Sequence, residues 1–431
     1  MLAKFKNTYR RFDRNFWLLM AISFIDMLGG SLIFPFFSLY MSRKFGVGMT
    51  EVGFMFLVWA LTSGLIGNIV GGALADKFGR KTNIVFGLTA SAVSALAMVV
   101  IDDLILFYVF VGVIGIFEDI AGPARQAMVA DLVPEDQRAD AYGIFRIVFN
   151  LAAAIAPAIG GYMVARSFET LFVVDVIISS IAALLVLLFL PETKPETDEQ
   201  KQEQSLMDTL KGYKAVFRDK VFIIFIAVSA LSTLMYFNMN STLSVYLVDY
   251  HSLPPQQYGL ILTVNAAMVV FMQMFFTRMI ASWKPMIAIA IGNILYVVGF
   301  TMYGFVTTFL WFLIAMIVIT IGEMIYSPKG QMVSANMAPE HMRGRYMAIN
   351  NFAWVIPIAI GPLAAGLIID NLDPRMVWYF AGGVGTLSVI GFLLLHKFAR
   401  ERFNVIQVSA AEGELEADIP REKTFPLAAG E

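Results

Sequence analysis

Residues 171–190 read LFVVDVIISSIAALLVLLFL, and the polar stretch PETKPETDEQ follows at once. The run carries one ionisable side chain, Asp175. A helix of about twenty residues reaches roughly 30 Å, the thickness of a bilayer's hydrocarbon core. The run is continuously apolar, shows no period-two alternation and is about twice as long as a barrel strand, so it reads as a helix. In lipid the backbone polar groups must be satisfied internally, which leaves helices or closed barrels as the structures that can cross.

Comparable stretches lie on both sides of it. Spans are expected at 16–41, 51–75, 83–101, 104–130, 140–165, 169–190, 221–248, 256–280, 285–305, 309–335, 344–370 and 375–397. Of the 431 residues, 58% are hydrophobic and 15% charged, against roughly 45–50% and 25% in soluble domains. The fold class is therefore all-α integral membrane with twelve transmembrane helices. The long polar interruption at 191–220 divides them into a bundle over 1–190 and a second over 221–403, followed by an acidic tail, 404–431, expected to be disordered. The basic N-terminus precedes a run too long for a signal peptide, so it reads as an uncleaved first span. Lys77, Arg80, Lys81, Arg138, Arg278, Lys284, Arg343 and Arg345 fall in alternate loops, and the opposite loops hold fewer cations, chiefly Arg43, Lys44, Arg166 and Arg375. By the positive-inside rule both termini are expected in the cytoplasm, with the protein in the plasma (inner) membrane.

Several chemistries are set aside by composition. The net charge of −2 gives no basis for nucleic-acid binding, the absence of cysteine excludes disulfides, and the three histidines sit in expected loops or at a helix end, so no metal site is expected. No G-x-x-x-x-G-K-[ST] loop is present, which argues against ATP hydrolysis; no enzyme activity and no cofactor are expected.

An internal repeat appears at a constant offset of 205 residues. It carries Glu118 onto Glu323, Pro123 onto Pro328, Gln126 onto Gln331, Pro134-Glu135 onto Pro339-Glu340, Arg138 onto Arg343, Pro157 onto Pro362 and Gly161 onto Gly366. These matches are polar, proline or glycine residues, where apolar composition gives no coincidence. They indicate two pseudo-symmetric six-helix bundles, an arrangement that places a site near the midplane between the halves.

The loop after the second span reads Gly72-Ala73-Leu74-Ala75-Asp76-Lys77-Phe78-Gly79-Arg80-Lys81. It resembles the G-x-L-a-D-r-x-G-r-k signature of the major facilitator superfamily at every fixed position. The resemblance implies a gating role for Gly72, Asp76, Gly79 and Arg80, with Asp131 as the acid that meets the arginine. The fifth span holds Ala152-x-x-x-Ala156-Pro157-x-x-Gly160-Gly161, similar to a motif of the drug:proton antiporter branch, with two of its glycines replaced by alanine; the eleventh repeats it as Gly361-Pro362-x-x-Ala365-Gly366. Tight packing of small residues is an equal reading of both. The arginine that this branch carries four residues before a fourth-span glycine is Val111 here.

Charged groups inside a bilayer cost roughly 2.5–3.5 kcal/mol each on insertion scales and point to function. At about 1.5 Å per residue, Asp26 lies roughly 16 Å into its span, and Glu118 and Glu323 roughly 21 Å from the outer ends of theirs. Asp119 points about 100° away from Glu118, and Asp175, nearer the outer surface, is placed to snorkel. Burial disfavours a carboxylate and a neighbouring cation favours it, the competition on which proton coupling depends. Cations at the inner third are Arg125, Arg146 and Lys329, with Arg146 expected to pair with Glu118 or Asp119. The setting of Glu323, Gly322-Glu323-Met324-Ile325-Tyr326-Ser327-Pro328, resembles the acidic tenth-span motif of some multidrug antiporters. Phe34, Tyr236, Asn238, Asn240, Asn265, Asn350 and Trp354 are candidate cavity residues, with interhelical hydrogen bonding an equal reading for the asparagines.

The function expected is proton-driven export of amphipathic or hydrophobic small molecules by alternating access, with membrane lipid, substrate and protons as partners and the monomer as the working unit. A lipid or lysolipid flippase, a sugar or amino-acid transporter of the same fold, and a transport-inactive receptor are the alternatives.

Overall fold

The structure is a computed structural model of the chain and describes residues 11–67, 74, 77–118, 120–194, 214–339, 342–400 and 402–403. The expected tail over 404–431 and most of the linker lie outside the described residues. Eleven helices are long and apolar enough to cross a membrane, and the apolar helix that begins at Met49 belongs to a twelfth span. In order they are α1 (Arg14–Ile33, continued through a 3₁₀ turn at Phe34–Phe36 into Phe37–Phe45), α2 (Met49–Trp59, continued by π turns over Ala60–Gly67) and α3 (Arg80–Val100). Next come α4 (Leu104–Glu118 and Ala121–Leu132), α5 (Arg138–Val164) and α6 (Phe168–Phe189). The second bundle comprises α7 (Lys220–Ser241, with short turns to Tyr250), α8 (Pro255–Met279), α9 (Pro285–Met302), α10 (Phe309–Met337), α11 (Arg343–Asn371) and α12 (Met376–Phe398).

Helix boundaries follow local chemistry. Pro35 has no N–H to give to an α-helical bond, and α1 tightens to 3₁₀ around it. Pro255 and Pro285 open α8 and α9, where a missing N–H costs nothing. Ser167 Oγ accepts the N–H of Glu169 to cap α6. Gly79 precedes α3 with φ +96, a backbone that side chains other than glycine avoid. Phe271, Met274 and Leu106 are exposed on the outer wall, as a lipid-facing surface requires.

Twelve spans bring both chain ends to one face, here the terminal face; the other is the far face. Toward the far face the bundles meet along two seams, α2 against α11 and α5 against α8. Both seams are backbone contacts made possible by glycine. A Cβ on Gly53 would lie 2.4 Å from Leu363 Cα, and one on Gly259 would lie 2.2 Å from the carbonyl oxygen of Pro157. Without a hydrophobic drive between helices in lipid, such close approach is what dispersion and shape can supply. The motif residues take part: Gly161 lies against Pro255 and Gln256, Gly366 against Met49, Pro362 against Gly53, and Gly160 against Leu32 and Phe36 within the first bundle. Gly361 meets Leu234 at ordinary van der Waals distance.

Candidate functional site

Between the bundles lies a cavity of about 820 Å³. Its walls come from both halves: Phe34, Phe37, Phe56 and Trp59 from α1 and α2, Tyr236, Phe237 and Asn240 from α7, Asn265 from α8, and Trp354 from α11. Toward the far face, Phe237 is inserted among first-bundle rings, with centroids 5.9 Å from Phe34 and 5.8 Å from Phe56. Edge-to-face contacts of this kind add to the area the rings bury. They floor the cavity on that side.

Three carboxyl residues line it, Asp26, Asp175 and Glu323, with Arg125 the basic side chain among the described lining residues. Arg125 Nη1 donates to Asp26 Oδ2 at 2.6 Å, and both side chains are largely buried. Glu323, on α10, is held differently. Tyr236 Oη donates to its Oε1 at 3.1 Å and Asn265 Nδ2 to its Oε2 at 2.9 Å. Thr320, one turn before Glu323, accepts from Asn265 at 3.0 Å and donates back to the Met316 carbonyl, which fixes the amide's direction. No ion pair to Glu323 is formed among the described residues. The expectation that Asp175 snorkels is corrected: it is 3% exposed. It packs onto α1 where Gly29 leaves room, since a Cβ there would sit 2.0 Å from Asp175 Oδ1.

Other expected residues fall elsewhere. Asn238 is buried and bonded within its own helix, giving to the Leu234 carbonyl and accepting from Thr242, and Asn350 accepts from Ser334 of α10 at 2.8 Å. Neither lines the cavity; each instead satisfies a buried neighbour, the alternative that hydropathy could not separate. Arg146, expected to pair with Glu118 or Asp119, reaches across the halves on the terminal side and donates to Gln331 Oε1 at 3.2 Å. Gly72, Asp76, Asp119 and the side chain of Glu118 lie outside the described residues. Lys329 is buried on α10 and donates to the Ala281 carbonyl just past the end of α8, where a cation complements the helix dipole.

At the terminal face Arg80 Nε donates to Asp131 Oδ2 at 3.2 Å, bringing together the two residues paired by the sequence motif. A residue not foreseen completes this knot. Glu192, just past α6, accepts the backbone N–H groups of Arg80 and Lys81 at the start of α3. Gly79 leaves it space, because a Cβ would lie 2.3 Å from Glu192 Oε2. Burial pushes the Glu192 carboxyl up, but the N–H groups of Arg80, Lys194, Lys81 and Thr193 outweigh it and hold the group below the usual range. The second bundle has its own knot: Asp219 caps α7 through the Phe222 N–H and receives both Arg402 nitrogens at 2.6 Å and the Tyr346 hydroxyl at 3.0 Å. Burial raises Asp219 as well, and again these donors prevail and lower it. Glu192 falls in the polar linker and Arg402 in the basic flank after the last span, where composition gives neither a partner. The signal that finds them is position, three and four residues beyond the last helix of each bundle.

Comparison with known proteins agrees with this architecture. The family model described as Major Facilitator Superfamily matches residues 19–251 and 226–427. A Na(+), Li(+), K(+)/H(+) antiporter of Planococcus maritimus is 25% identical over 400 residues, covering 85% of this chain and 92% of that protein. The quinolone resistance protein NorA of Staphylococcus aureus is 22% identical over 391 residues, covering 89% and 96%. Among solved structures, the nucleoside transporter NupG superposes with a TM-score of 0.74 at 15% identity, covering 90% of this chain and 100% of that one, a likeness of fold. With its twelve membrane helices in two related bundles around a shared cavity, and a family match along nearly its whole length, this chain belongs to the major facilitator superfamily of multi-pass membrane transporters.

Proposed function

We propose that this chain exports amphipathic or hydrophobic small molecules in exchange for protons, with both termini in the cytoplasm and the cavity reached from that side. The observation that carries the reading is the placement of Glu323. A carboxyl sits in an aromatic-walled cavity at midplane depth, bonded by the neutral donors Tyr236 and Asn265 and by no cation among the described residues. A group so held changes charge when it gains or loses a proton, and the change falls where a substrate binds. Asp26 and Arg125 form a standing charge pair on the opposite wall, which orients or repels charged parts of a substrate. Phe34, Phe56, Trp59 and Trp354 supply adaptable apolar surface. Arg146 with Gln331, and Arg80 with Asp131 and Glu192, act at the terminal face as gating contacts. One chain supplies every wall of the cavity, and the monomer is the working unit.

The test is reconstitution into proteoliposomes with an imposed pH gradient and a panel of lipophilic dyes. Gradient-dependent dye movement that Glu323→Gln removes supports the reading; dye movement indifferent to the gradient or to that substitution rejects it. A second reading, exchange of alkali cations for protons, draws support from the Planococcus relative and from the three carboxyls of the cavity. Internal pH changes on adding sodium, lithium or potassium salts, with no dye movement, decide in its favour.

A further inference from the structure

The far-face seams differ in kind. Along α5 and α8 the contact is backbone on backbone at Gly161 and Gly259. Along α2 and α11 the same glycine packing occurs at Gly53 and Gly366, and a charged group is added. Asp370, in the last turn of α11, accepts the Met49 N–H at 2.9 Å on Oδ1 and the Thr50 N–H at 2.7 Å on Oδ2. These are the leading N–H groups of α2, which have no partner within their own helix and lie at its positive end.

The fit is made from both halves. Gly48, the residue that caps α2 at its start, carries no side chain, and a Cβ there would stand 2.6 Å from Asp370 Oδ2. Tyr250, at the end of α7, is close enough for the Asp370 charge to act on it. The neighbouring cation Arg43 is engaged by Asp249 at 3.4 Å, another link between the halves. Asp370 forms no ion pair among the described residues, so the α2 amides are its compensation. At the repeat offset of 205 its counterpart in the first bundle is Ala165, which can form no such bond.

We infer that Asp370 is the latch of the far face: a carboxylate from one bundle caps a helix of the other, and the cap exists only while α2 and α11 are together. Opening this face hands the carboxylate and two amides to water, so the residue sets the balance between far-face-closed and far-face-open forms. The inference requires that the bundles move apart; it does not depend on what is carried or on proton coupling.

The chain has no cysteine, so Thr170→Cys and Thr307→Cys, exposed on the first and second bundles at the far face, take spin labels without background. Asp370→Ala should move the distance distribution toward the long separation, raising the open-to-closed ratio by roughly tenfold or more, the effect of losing charge-assisted bonds. Gly48→Ala, which retains the Asp370 carboxylate but displaces it, should shift the distribution the same way by less, and it carries the test if the first variant does not fold. Asp373→Ala, a surface acid bonded to Arg375 in the adjoining loop, should match the parent. Parental distributions for both Asp370→Ala and Gly48→Ala would overturn the inference, as would an equal shift for Asp373→Ala.

Discussion

Asp26 and Glu323 look into one cavity from opposite bundles, and the two halves treat their acids in opposite ways. Asp26 has a guanidinium at 2.6 Å. Glu323 has a phenol and an amide. In the repeat, Glu323 corresponds to Glu118 and Asp26 to Leu231, while Arg125 stands where the second bundle has Gly330, so the Asp26–Arg125 pair has no counterpart in the second bundle. Duplication thus supplies two related scaffolds, and single side chains decide that one wall holds an ion pair while the other holds an acid whose partners among the described residues are neutral. A fixed pair resists change, because removing either member strands the other in a poor solvent for ions. An acid with neutral partners exchanges its proton without leaving a cation behind. On the proposed function, the first bundle's acid serves structure and the second's serves coupling.

The strongest way to break this assignment is Glu323→Gln. It keeps size and hydrogen-bonding capacity, so the fold should survive while gradient-driven flux in proteoliposomes falls to that of empty vesicles; flux that persists would make the two walls equivalent after all. Next in size is Asp26→Asn, which leaves Arg125 buried without its counter-charge and should cost about 3–5 kcal/mol of stability. Thermal unfolding in detergent measures it, and Asp26→Asn combined with Arg125→Gln should recover most of the loss. A pair with no coupling in this double-mutant cycle would deny the fixed-charge role.

The comparison extends to the terminal face, where the first bundle ties itself with Glu192 and the second with Asp219 and Arg402. Arg402→Ala should lower stability by about 1–3 kcal/mol at neutral pH. Because the folded Asp219 carboxyl is held below its unfolded value, the stabilisation is complete above about pH 4 and is lost as pH falls through the folded value. The difference in Tm between parent and variant should therefore shrink on acidification from about pH 7 to about pH 3; a constant difference would mean that Arg402 acts by packing alone. The smallest effect expected is that of Tyr236→Phe, which removes one of two donors to Glu323, about 1 kcal/mol. A several-fold change in gradient-driven flux with an unchanged Tm would sharpen the view that these neutral donors tune the acid rather than hold the bundle together.

Much of this was open to reading in the sequence. The apolar runs locate the helices to within a few residues over most of the chain, and the offset of 205 points to two bundles. Of the acids, Asp26, Glu118 and Glu323 stand out because their helical depth is simple arithmetic; Asp26 and Glu323 line the cavity, and the Glu118 side chain lies outside the described residues. Asp175 marks the limit of that arithmetic, since depth alone cannot reveal that Gly29 on a neighbouring helix opens a seat for it. The asparagines show a similar limit: Asn240 and Asn265 line the cavity, whereas Asn238 and Asn350 bond to Thr242 and Ser334. Residues two apart on a helix face directions about 200° different, and hydropathy is blind to which of those directions meets a cavity.

By itself the sequence determined that this protein crosses a membrane many times, that its two halves are copies, and that it carries the major facilitator loop. Each of these is a property of order along one chain: length of apolar run, spacing of a repeat, succession of a motif. Only the tertiary structure decided which acid meets a cation, which seam carries a carboxylate, and which face of the cavity is shut. Those depend on groups hundreds of residues apart, such as Asp370 and Met49, arriving within hydrogen-bond distance, and the strength of such contacts falls away over a few ångströms in a way that no linear pattern records.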